Sequence, residues 1–96
     1  MTISERKILS QEPIIWTGDL SDDCLANWAG LMLRAEWMAD FDWWWAVYDM
    51  QNNAETIDCS NEYDKKCING EFARANAEKV AKEFMQSIIE ANIYNK

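Results

Sequence analysis

Histidine is absent from the 96-residue chain, and its absence removes the commonest general base and the Ser-His and Cys-His nucleophile pairs with it. Glycine is nearly as scarce. The three glycines, Gly18, Gly30 and Gly70, are too far apart to form a phosphate-cradling loop. The cysteines Cys24, Cys59 and Cys67 are odd in number and form no CxxC pair, so a tetrahedral zinc site would have to borrow carboxylates. No metal or cofactor is expected. No apolar run reaches the length of a membrane span, and the leading residues lack the apolar core of a secretory signal. Free thiols in a reducing cytoplasm are the expectation that follows.

Positive charge is the other scarcity. The net charge is −8, and between Ile8 and Asp64 the only cation is Arg34, set against twelve carboxylates. Such a surface repels phosphate backbones and anionic lipid, which argues against nucleic-acid and membrane partners. It leaves a basic protein surface open as a partner. With a single proline and 49% hydrophobic residues, the composition is that of one folded domain spanning residues 1–96.

Tryptophan is what the chain has in excess. Six are present, and three are consecutive in Asp42-Trp43-Trp44-Trp45-Ala46-Val47-Tyr48-Asp49. Aromatic and β-branched residues favour a pleated, half-buried surface, and the bracketing aspartates give the run the length of an ordinary strand. Strands are also expected at about 13–18, with proline at the first residue, and at 55–60. The paired asparagines at 52 and 53 suit the hairpin loop between 42–49 and 55–60.

Residues 22–38 are ambiguous. Ser21 as an N-cap, two following aspartates and apolar residues at helical spacing favour a helix. Against it, Gly30 would sit in the helix interior, and the tryptophan strand needs partners. The preferred reading is a strand over about 27–38, with Trp28, Gly30, Met32, Arg34, Glu36 and Met38 on one face. The helical alternative gives an α-β-β-α order that loosely resembles the double-stranded RNA-binding domains, from which a missing third strand and the acidic charge separate it.

A helix over about 70–92 carries Phe72, Ala73, Ala77, Val80, Ala81, Phe84, Ile88 and Ala91 along one side. The expected fold is therefore α+β: an antiparallel β-meander of three to four strands packed on one face by the C-terminal helix. Residues 1–12 are expected to be a loose terminus or a short helical turn.

Functional candidates follow from what a single helix leaves uncovered. In the tryptophan strand, Trp43 and Trp45 share one face, while Trp44 and Tyr48 share the other. The second face is expected to carry Trp44 and Tyr48 with Trp28, Met32 and Arg34, unless the N-terminal segment folds over it. Exposed aromatic patches of that size mark interfaces. The sequence thus points to a non-enzymatic protein–protein interaction module, a homodimer or an inhibitor or adaptor on a basic partner, acting through the aromatic sheet face or the acidic surface. The alternative is a small-ligand groove lined by tryptophan. The carboxylate groups at Asp22/Asp23 and Asp40/Asp42 are expected to be solvated loop residues, and Cys59 an inert one.

Overall fold

The computed structural model describes residues 1–64 and 66–94. Helix α1 (Ile3–Leu9) leads into a five-stranded sheet of β1 (Thr17–Gly18), β2 (Asp23–Trp28), β3 (Leu31–Ala39), β4 (Asp42–Asp49) and β5 (Glu55–Cys59). A short 3₁₀ turn (Ser60–Glu62) and helix α2 (Gly70–Tyr94) follow. Every strand pairs antiparallel with its sequence neighbour, in the order β1-β2-β3-β4-β5. Helix α2 packs on β3 and β4, so the fold is α+β with the C-terminal helix covering one side of the meander.

Alternation divides the sheet. Cys24, Ala26, Trp28, Leu31, Leu33, Ala35, Trp43, Trp45 and Val47 point to the helical side and are buried. Leu31, Leu33 and Val47 are at most 1% exposed, and full burial of such side chains stabilises by about 1.5–3 kcal/mol each. Helix α2 meets them with Ala73, Ala77, Ala81 and Met85, at successive intervals of four and almost completely buried. Three alanines in register let the helix axis come close to the strands. At its start, Asn69 Oδ1 accepts from Phe72 N at 2.9 Å, capping the first turn. A Cβ on Gly70 would stand 2.8 Å from the Trp43 ring, so the helix begins where only glycine fits against that tryptophan.

The expected strand over 27–38 is in fact parts of two strands. Ala29 and Gly30 both have positive φ, 53° and 83°, the combination that a two-residue type I′ hairpin requires. Trp28 therefore pairs with Leu31 and Asn27 with Met32, and the faces assigned from continuous alternation are exchanged upstream of the turn. Residues 22–38 are not helical. Gly30 is a turn residue and not an interruption. The expected strand at 13–18 shortens to Thr17–Gly18, because Ile14 and Trp16 turn inward to pack on the core and Trp16 Nε1 donates to Glu78 at 3.1 Å.

The first residues take the helical alternative. Thr2 and Glu5 form a reciprocal capping box, and Arg6 is only 5% exposed. Its Nη2 donates to Asp49 Oδ1 at 2.9 Å and its Nε to the Ala29 carbonyl at 2.9 Å. One buried cation thus binds α1 to the β2–β3 turn and to the end of β4.

Candidate functional site

Both helices lie on the same side of the sheet. Helix α1 packs against α2, and Arg6 reaches Asp49, which belongs to the buried alternation of β4. The N-terminal segment therefore does not cross to the other face, and no described element covers that face. Strand register arranges the open face in three rows. Asn27, Met32, Tyr48 and Thr56 form the first; Thr17, Leu25, Arg34, Ala46 and Cys59 form the second; Asp23, Glu36 and Trp44 form the third.

Four of the five expected site residues come together here. Met32 is directly opposite Tyr48, Arg34 is opposite Ala46, and Trp44 is opposite Glu36. Trp44, Met32, Arg34 and Tyr48 are all half-buried. Trp28 does not join them: the Ala29-Gly30 turn sends it to the helical side, where it is 6% exposed and its Nε1 donates to the Glu12 carbonyl at 2.8 Å. Leu25 takes the apolar position that Trp28 was expected to fill. The signal that finds Leu25 is the hairpin itself, since any residue two before Asn27 shares the Met32 face once the turn is placed.

Arg34 organises the charged end of this face. Its Nη2 lies 3.3 Å from Asp23 and 3.9 Å from Glu36, and the guanidinium sits 5.8 Å from the Trp44 ring centroid. The two carboxylates and the indole hold the cation beside the third row. Asp49 and Asp58, carboxylates of β4 and β5, are not available to Arg34. Asp49 is taken by Arg6, and Asp58 by the Tyr63 hydroxyl at 2.6 Å. Beyond the third row, the β3–β4 hairpin exposes Trp37, Met38 and Phe41, the last 77% exposed at φ 61°.

A cleft of about 720 Å³ opens on the opposite side, between α2, β5 and the loop after the 3₁₀ turn. Trp45 and Tyr63 lie in its walls with ring centroids 5.9 Å apart and planes inclined by 32°. The hydrogen bond from its hydroxyl to Asp58 pushes the Tyr63 phenol above its ordinary value, and the charges of Asp58, Glu83 and Glu62 act in the same direction. Asp19, in the β1–β2 turn, is held below the usual carboxylate value by the Ser21 hydroxyl and backbone N–H.

Cys24, Cys59 and Cys67 form no disulfide with one another, and the first and last are buried. Among the described residues no group of three or more cysteines and carboxylates is placed to hold a metal ion, and no described helix is long and apolar enough to cross a membrane. Comparison with protein-family models, with curated proteins and with solved structures gives no match to this chain.

Proposed function

We propose that this chain is a non-enzymatic interaction module that docks a protein partner on the open face of its sheet. The reading rests on one observation: both helices lie on one side, leaving Leu25, Met32, Trp44 and Tyr48 together on the other. Aromatic and methionine side chains are enriched in interface cores, and an apolar field of this kind bounded by charge has the layout of a docking surface.

The charges select the partner. Arg34 is neutralised by Asp23 and Glu36 together, which leaves the third row net acidic, and Asp40 follows at the adjoining hairpin, where Asp42 is paired with Lys66. A second copy docked face to face would bring to this row only cations that are already paired, Arg34 with Asp23 and Glu36 and Lys66 with Asp42. It would also have to approach against a net charge of −8 on each molecule. The favoured partner surface is apolar at its centre and basic at its rim.

A helical Leu/Lys peptide with one apolar and one basic side supplies that chemistry in defined form, and a Leu/Glu peptide of the same pattern is its control. In an NMR titration the Leu/Lys peptide is expected to shift the Trp44 indole and the β3–β4 amides. Trp44→Ala is expected to weaken binding by about tenfold, as loss of a central aromatic anchor does. Equal binding of the Leu/Glu peptide, or full binding by Trp44→Ala, would overturn the reading. Sedimentation of the wild type is expected to give a monomer; a dimer that dissociates in Trp44→Ala would assign the face to a second copy instead.

A further inference from the structure

We infer that the cleft between α2 and β5 is a binding site for a small aromatic zwitterion, of the type of a free aromatic amino acid. It lies across the sheet from the docking face and does not depend on it.

The cleft has a structural origin. The alanine stripe seats α2 against β3 and β4, whereas the helix meets β5 far less, and a wedge stays open between α2 and β5. The loop ahead of α2 closes one end. Trp43 N donates to the Cys67 carbonyl at 2.8 Å, and the Asn76 amide reaches Cys67 Sγ at 3.5 Å, so this wall is fixed before any ligand arrives. The volume of about 720 Å³ is that of ordinary small-molecule sites.

Apolar character sets the first requirement on the ligand. Trp45, Val80 and Phe84 form the deeper surface, whereas Tyr63, Ile68 and Phe72 stand at the rim, each just over half exposed. A ring inserted between them would cover aromatic surface that water now meets. The Trp45 and Tyr63 rings already pack on each other, so such a ring would stack beside this pair and not between its members.

Charge sets the second. Four ionised side chains line the cleft, and two are already engaged: Lys66 with Asp42 at 3.3 Å, and Asp58 with the Tyr63 hydroxyl and the Cys59 backbone N–H. The other two are Lys79 and Glu83, one helical turn apart, and among the described residues neither makes an ion pair or hydrogen bond. Lysine preceding glutamate is the weaker order for an i,i+4 pair, so they gain little from each other. An aromatic anion could use Lys79 but would face Glu83 and Asp58. An aromatic cation could use Glu83 but would face Lys79 and Lys66. A ligand bearing both groups answers both side chains.

The test is an NMR titration of the full chain with L-phenylalanine, phenylacetate and phenethylamine. L-phenylalanine is expected to give saturable shifts at the Trp45 indole and the Asn76 amide, with a dissociation constant of about 0.1–1 mM for a ligand of this size. The Trp44 indole on the open face is expected to stay still. Lys79→Ala and Glu83→Ala should each weaken binding by about twofold to fivefold, and Lys79→Arg should retain it. Both sites are exposed or half-exposed on a helix, so these variants test binding in a folded protein. Absence of saturable shifts with all three compounds would overturn the site. Tighter or equal binding of phenylacetate or phenethylamine, or unchanged binding by Lys79→Ala, would overturn the zwitterion.

Discussion

Replacing Arg6 by alanine would remove the one cation that reaches the interior among the described residues. Its side chain and that of Asp49 are 6% and 8% exposed, at a separation of 2.9 Å. The alanine variant leaves the Asp49 carboxylate with a single remaining donor, the Gln51 backbone N–H at 3.1 Å, and leaves the Ala29 carbonyl without the guanidinium. Stranding one member of a buried ion pair costs about 3–5 kcal/mol. For a chain of 96 residues, that is a large share of a total stability of about 5–14 kcal/mol.

Urea unfolding followed by tryptophan fluorescence and by circular dichroism would measure the loss. Arg6→Met/Asp49→Leu separates two causes, since it removes both charges and restores apolar bulk. If the single variant suffers from an unpaired buried charge, the double variant recovers at least about 1–2 kcal/mol of the loss. A fall of less than about 1 kcal/mol for Arg6→Ala would refute the reasoning, because an exposed pair costs no more than that.

Phe41→Gly is expected to raise stability by about 0.5–1 kcal/mol in the same assay, because φ 61° is strained for phenylalanine and the ring is too exposed to lose packing. Ala77→Leu is expected to destabilise by about 1–3 kcal/mol, since residue 77 is fully buried in the stripe that lets α2 lie against the sheet. The Tyr63 phenol is raised in the folded state, so its contribution to stability is fully present below pH 10, the ordinary value, and is lost as pH rises through the folded value. Ultraviolet titration should show one phenolate forming later than in Tyr63→Phe, where that late component disappears; identical curves would remove the Asp58 bond as its cause.

Much of the fold was readable in the chain because period and burial agreed. Strand β4 and helix α2 each present one continuous apolar side, and their bounds lie close to those that pattern implies. The β2–β3 turn was hidden by alanine. Ala29 stands at φ 53°, where asparagine, aspartate or glycine normally announces a type I′ turn, so the alternation ran unbroken through it. A twelve-residue strand was itself a warning, being about twice the usual length. Trp28 was misplaced for that single reason. The other omission, Arg6, was recoverable in part from Thr2 and Glu5, which have capping-box spacing. Its burial was not, since it depends on meeting Asp49, forty-three positions later in the chain. The cleft likewise depends on how far β5 diverges from α2, and pattern alone contains no measure of that distance.

The nearest-neighbour order of the meander has a consequence for how the molecule assembles. Each strand meets its partner through a short local closure, so the sheet can grow hairpin by hairpin with little loop entropy to overcome. Three bonds from the first sixteen residues are of another kind: Arg6 to Ala29 and Asp49, and Trp16 to Glu78, span twenty-three to sixty-two positions. These contacts form only after the sheet and α2 exist to receive them. The N-terminal helix is thus expected to lock late in folding and to open before the strands. Its amides should exchange with solvent through a local opening that leaves the five strands closed.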